Sequence, residues 1–226
     1  MPMLDDETES LNQLLLDVDL AWVRFEDARA LEDYHTLRDN CKLLQERFER
    51  WQSAQAPEIQ PIPVTELVWH EAEGDPAVGR WPGRVDTYFD LYVASIWNIA
   101  RTARLLLFTL DLMLSEKLDP DDNSIYRLDS VTTIIEDMIS SIPYHLSENI
   151  YDFLKGSDMD VMEPGRTLGG FLLMYPVHIA SRTPFISMEM RNYLENCLLW
   201  MTSYMGIGQA SILAKVKSLV TLNLVL

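Results

Sequence analysis

The segment VDTYFDLYVASIWNIARTARLLLFTLDLMLSE, from Val85 to about Leu118, constrains the fold most. Its apolar residues recur around most faces of a helix rather than along one stripe. A helix of that kind cannot face water on any broad side and must be surrounded by other elements. It is expected to be central, with Asp86 or Thr87 as its cap.

The first fifty residues supply partners for it. Leu11, Leu14, Leu15, Val18, Trp22 and Phe25 recur at three- and four-residue steps, and so do Tyr34, Leu37, Cys41, Leu44, Phe48 and Trp51. The spacing predicts two helices with a break near residue 29, packed as an antiparallel pair over residues 1–52. Thr8 or Ser10 can cap the first, with Glu7 and Glu9 near its positive end. From 53 to 84 the pattern fails. Pro57, Pro61, Pro63, Pro76 and Pro82, with Gly74, Gly79 and Gly83, forbid a continuous helix, so a long irregular connection is expected. Its Trp69 and Trp81 argue that it packs over the helices.

Beyond the central helix, residues 118–124 read as an acidic turn and 125–141 as a second long helix broken by Pro143. A short helix near 146–154 follows, then the apolar stretch GRTLGGFLLMYPVHIASR, a helix over 187–206 ended by Gly206 or Gly208, and a last turn or two over 209–217. No strand series and no internal repeat are visible. The fold class is all-α: one helical domain over 1–226, with 85–226 as its core.

Charge narrows the functions. The net charge is −17, and the 18 Lys and Arg are scattered, so a phosphate backbone would be repelled and direct nucleic-acid binding is not expected. Cys41 and Cys197 stand far apart, without metal-like spacing, and read as two buried reduced thiols. The start MPMLDDETES lacks an apolar signal region. The longest apolar run, Leu168 to Ala180, is too short for a membrane span and carries Pro176 and His178. A soluble, cytoplasmic protein is expected, or a nuclear one if it is a regulator.

Four islands in the second half resemble a known family. WNIARTARLLL (97–107) looks like the "WN-x-x-R-x-x-R" helix of the regulatory domain of fungal binuclear-zinc-cluster transcription factors. SSIPYHLS (140–147) is similar to its "SIP-aromatic-x-L" turn, GGFLLMYPVHIASR (169–182) to its "GG-x-x-L-L-x-P-L-x-x-A" helix, and YMGIGQASILA (204–214) to its "MGI-x-QA" ending. Order and spacing agree over roughly 85 to 215. The six-cysteine cluster that binds DNA in that family has no counterpart here. The resemblance therefore implies the helical effector domain free-standing, of a kind found beside fungal secondary-metabolite genes.

No catalytic signature, phosphate loop or metal-ligand spacing is present, so no cofactor and no metal are expected. His35 reads as a surface residue, and His70 lies in the proline-rich connection. Candidate catalytic groups are Arg101 and Arg104 on the central helix, His145 after the Pro143–Tyr144 turn, and His178 after Pro176. Each has a structural alternative. The arginines are expected to pair with Glu136 or Asp137 on the next helix. The histidines can simply donate to nearby carbonyls. Pro176 should kink its helix, and the Gly169–Gly170 pair should let a neighbour approach closely. Tyr92, Trp97, Asn98, Phe171, Met174, Tyr175, Trp200 and Tyr204 are candidate substrate-binding residues, because Met and aromatic side chains line adaptable apolar pockets as well as cores.

Two classes of function follow. One is a pocket protein for an apolar small molecule in fungal secondary metabolism, acting without cofactor as a cyclase or pericyclase. The other is a regulator-like protein or metabolite sensor without a DNA-binding module, acting through protein contacts, with a homodimer or another protein as partner.

Overall fold

The computed structural model describes residues 9–68, 75–118, 126–156, 162–184 and 186–216, the side chains of 126–128 excepted. Two helices open the chain, α1 (Leu11–Asp27) and α2 (Leu31–Ser53). The Ser10 side chain accepts from the Gln13 amide at 3.2 Å and caps α1, while Thr8 lies outside the described residues. Asp33 accepts from the Ala30 amide at 3.0 Å and holds the start of α2. Leu14, Val18 and Ala21 of α1 meet Leu37, Cys41, Leu44, Phe48 and Trp51 of α2, and both close on Ala100, Ala103, Leu107, Leu110 and Leu114 of α3 (Leu91–Leu118). Arg47 ties the pair together by bridging Glu9 and Asp17 of α1.

The 53–84 connection departs from expectation. Ile62–Leu67 (β1) pairs antiparallel with Gly83–Thr87 (β2), with an irregularity between Pro63 and Thr65. Of the prolines that exclude a helix, Pro63 lies within β1, where a short two-stranded ribbon tolerates it because a missing N–H can face away from the partner. Val85, Asp86 and Thr87 therefore belong to β2, and α3 starts later than its pattern suggests. Its cap is Asp90, whose carboxylate accepts from the Val93 amide at 2.8 Å. Asp86 is fully buried instead, with its amide donating to the Ser140 carbonyl at 2.9 Å. Trp81 packs on the Tyr193 ring at 4.9 Å between centroids, and the Gly79 amide donates to the Tyr193 hydroxyl, so this part of the connection lies over the helices. Trp69, His70 and Gly74 are outside the described residues.

After α4 (Tyr126–Ile139) the chain forms two short helices, α5 (Ile142–Leu146) and α6 (Ile150–Lys155), in place of the one expected over 146–154. Pro143 stands in the first turn of α5, where its missing N–H costs nothing, so it starts a helix rather than only ending one. Then come α7 (Thr167–Arg182), α8 (Met188–Met205) and α9 (Gly208–Lys215). Gly206, at φ 72°, makes the left-handed cap between α8 and α9. α7 continues through Pro176, which lies inside it.

The largest core joins α3, α4, α5, α7, α8 and α9 around Leu105, Ile135, Leu146, Leu173, Val177 and Leu198. A third, smaller core gathers Val85, Tyr88, Trp97, Tyr144 and Ile150 under the ribbon. All three touch α3, which fills the central place its composition demands. The architecture is all-α with a small two-stranded ribbon. Among the described residues no helix is long and apolar enough to cross a membrane.

Candidate functional site

Asn98 and Arg101 are three residues apart on α3 and so share a face. Ser141 and His145, four apart at the start of α5, are aligned the same way. The structure brings these two faces together. Asn98 Nδ2 donates to Ser141 Oγ at 2.9 Å, and Arg101 Nη1 donates to Asn98 Oδ1 at 2.9 Å and to the Tyr88 hydroxyl at 3.0 Å. The His145 Nδ1 lies 3.0 Å from the Ser141 carbonyl. Asn98, Ser141 and His145 are fully buried, and Arg101 is 2 % exposed.

A second polar chain runs alongside. Ser140 Oγ donates to Asp86 at 2.7 Å. Arg84 clasps Asp86 through Nε at 2.8 Å and Nη2 at 3.0 Å, and reaches Asp137 at 2.6 Å. The pairing expected of the arginines is therefore corrected. Asp137 is taken by Arg84, and among the described residues no carboxylate lies within ion-pair distance of Arg101. Arg104 points the other way, to α2, where Gln45 and Gln52 accept at 3.0 and 2.7 Å and Glu49 at 2.8 Å. A three-residue step leaves the two side chains about 60° apart around the helix. Arg101 and Arg104, straddling the boundary between two layers, therefore enter different ones.

Two acceptor or donor atoms in the first cluster lack partners, Arg101 Nε and His145 Nε2. Burial pushes the His145 pKa down to about 4, opposed by the contact with the Ser141 carbonyl and helped to a smaller extent by the nearby Arg101 and Arg166 guanidiniums. His145 is thus a neutral imidazole at pH 7.

His178 is not part of this cluster. It lies on α7, fully buried, near the end of α9, and neither ring nitrogen meets hydrogen-bond geometry. Burial and then Arg182 depress its pKa to about 4, with the Leu213 backbone as the near polar group that favours protonation. Arg182 itself donates to Glu195 at 2.6 Å and to the Ala214 carbonyl at 2.8 Å, fixing α9 to α7 and α8.

The remaining candidates are dispersed. Trp97 is buried, donates to the Ile59 carbonyl at 2.7 Å and packs at a tilt against Trp51, with 5.7 Å between ring centroids. Trp200 is buried and stacks at 5.4 Å on Tyr204, which is exposed. Met174 and Tyr175 are partly buried against the largest core, and the Tyr175 hydroxyl lacks a partner. Tyr92 is 70 % exposed and Phe171 44 % exposed, unlike the buried Trp97 and Trp200. His35 is exposed.

A concavity of about 550 Å³ lies elsewhere: Arg80, Ser147, Asn149, Phe153, Met162 and Pro164 line it. None of the twelve candidate residues borders it. Arg80 caps its floor, with the guanidinium 4.0 Å above the Phe153 ring. Among the described residues no three His, Cys, Asp or Glu side chains gather as a metal site. Cys41 and Cys197 are free, buried and pushed up to about 12 by desolvation, so they are unreactive thiols.

The partners that sequence reading missed are Tyr88, Ser141, Asp86 and Ser140. Ser140 and Ser141 sit within the SSIPYHLS island, so its register held the signal. What was absent was the information that α5 lies against Asn98.

Compared with known proteins, the chain is 36 % identical over 216 residues to "Transcription factor dbaG" of Emericella nidulans, a match covering 92 % of this chain and 51 % of that protein. The chain thus spans about half the length of the curated relative it matches. No family model and no solved structure matches it.

Proposed function

The chain is a homologue of about half of a fungal transcription factor, and from this premise we propose that it works as a regulator-like module whose output is contact with other proteins. One structural observation supports this reading over chemistry on a substrate. The groups best suited to act on a ligand, Asn98, Arg101, His145 and His178, are packed inside the protein, and no described concavity reaches them. A group that cannot meet a reacting atom cannot stabilise its transition state. The polar cluster at Asn98, Ser141 and Arg101 acts on this view as a lock that orients α5 against α3. A net charge of −17 favours a basic protein partner and disfavours DNA. A nuclear location follows from the same reading.

The test is a tethering assay. The chain is joined to an unrelated DNA-binding domain in a fungal host, and a reporter carrying that domain's site is measured. We expect a change of several-fold in transcript, in either direction. A reporter indistinguishable from the DNA-binding domain alone, with the fusion present at normal level, rejects the regulator reading.

A second reading has its own support. Buried ring nitrogens without partners, on His145 and His178, and the cleft beside Phe153 and Met162 fit a protein that opens to admit an apolar metabolite. In that reading the chain binds the metabolite, or cyclises it without cofactor. Incubation with late intermediates of a co-located pathway, comparing product ratios with and without protein, decides it: unchanged rate and unchanged ratios reject it.

A further inference from the structure

α1 carries two apolar stripes, and the fold uses one. Leu14, Val18 and Ala21 are buried against α2 and α3. Leu16, Leu20 and Val23, also at four- and three-residue steps, form a second stripe on the outer face and are 57, 50 and 54 % exposed. Leu43 of α2, 50 % exposed, adds to it across a shallow groove of about 200 Å³ that Leu20 and Leu43 both line. That groove continues along the same two helices into a second of about 400 Å³, the two sharing Arg24, Leu37 and Asn40. Scattered exposed leucines need no explanation, but a stripe with helical period beside a continuous groove has the form of a helix-binding face.

The charges beside the stripe indicate what would lie there. Of the acidic residues of α1, Asp17 is paired with Arg47. Asp19, Glu26 and Asp27 have no cation within ion-pair distance among the described residues, and helical geometry places them along and beside the stripe. Burial raises the pKa of Asp19 further, as it does for a carboxylate without a counter-ion. A second copy of this chain would bring the same three unpaired carboxylates to the interface and double a net charge of −17. A helix with Lys or Arg bordering its apolar stripe would neutralise them.

We propose that the outer face of α1, with Leu43 of α2, docks an amphipathic helix of another protein whose apolar stripe is bordered by basic residues. The inference rests on the regulator reading and names the surface and the kind of partner that reading requires.

The test uses the full chain and a designed 18-residue peptide with leucines at helical spacing flanked by lysines. A peptide of the same pattern with glutamates serves for comparison. Binding is followed by fluorescence anisotropy at several salt concentrations. The lysine peptide is expected to bind, more weakly as salt rises, and the glutamate peptide about tenfold more weakly or not at all. Combined Leu16→Ser, Leu20→Ser and Val23→Ser should weaken the lysine peptide by about tenfold. Combined Asp19→Asn, Glu26→Gln and Asp27→Asn should weaken it and flatten the salt dependence. Leu199→Ser, an exposed site on α8, should change neither. Asp19 is half-buried and the other substituted side chains are exposed, and circular dichroism verifies that the variants stay folded.

Equal binding of the lysine peptide to the wild type and the triple-serine variant overturns the proposal. So does a wild-type dimer, seen by light scattering, that the triple-serine substitution dissociates, because the face would then cover a second copy. Failure of peptide binding with an active tethered reporter removes this face and leaves the regulator reading standing. Peptide binding with a silent reporter does the reverse.

Discussion

Burial gives His145 its significance. Its ring is fully buried with Nδ1 on the Ser141 carbonyl, and its pKa falls from an ordinary 6.5 to about 4. The unfolded chain therefore binds a proton between those values that the folded chain refuses. Stability from keeping the ring neutral is fully present above pH 6.5 and is lost as pH falls toward 4, by about 3 kcal/mol for a shift of this size. Urea unfolding at pH 7, 5.5 and 4.5 should show that loss, and His145→Asn, which keeps a donor toward the Ser141 carbonyl, should make it markedly smaller. A pH dependence identical in the two proteins would place the titration elsewhere, on His178 or on carboxylates. At this scale the sequence singled out polar residues on the helices but not what they touch. Asn98, Arg101 and His145 stood out as polar groups in apolar surroundings. Their mutual partners depend on α5 arriving against α3, which no local pattern encodes.

Elements were legible where one periodicity dominates. The seams of α1 and α2 and the central standing of α3 follow from spacing alone. The ribbon did not, because Ile62–Leu67 and Gly83–Thr87 each lack a long alternating pattern and are strands only through each other. The glycines of α7 test how elements meet. A Cβ on Gly169 would fall 1.9 Å from the His145 carbonyl oxygen, which is backbone and cannot swing aside. Gly169→Ala should therefore cost about 3 kcal/mol or more in unfolding free energy, since α5 and α7 must separate. Gly208, in the first turn of α9, has open space around its would-be Cβ and no left-handed φ. Gly208→Ala should stabilise by about 0.5–1 kcal/mol. Thermal melts of both variants check the contrast, and a Gly169→Ala melt equal to wild type would mean that the α5–α7 approach is looser than described.

Across the whole molecule, three apolar cores share α3, and a large negative charge surrounds them. Going from about 10 to about 150 mM salt shortens the screening length from about 30 to about 8 Å. Repulsion among 35 acidic groups set against 18 basic ones should then weaken, and the melting temperature should rise by a few degrees. A falling melting temperature would show that bridges such as Arg47 with Glu9 and Asp17 outweigh the repulsion. The sequence by itself determined the helical class, the central helix, the paired N-terminal helices and the charge, because each is set by residue type and spacing within one segment. It also carried the likeness to a fungal transcription factor, at 36 % identity over 216 residues. Only the tertiary structure decided that the polar residues of those motifs turn inward and that α1 keeps an apolar stripe in solvent. Both depend on how one helix is rotated against another, and that angle comes from the packing of the whole core.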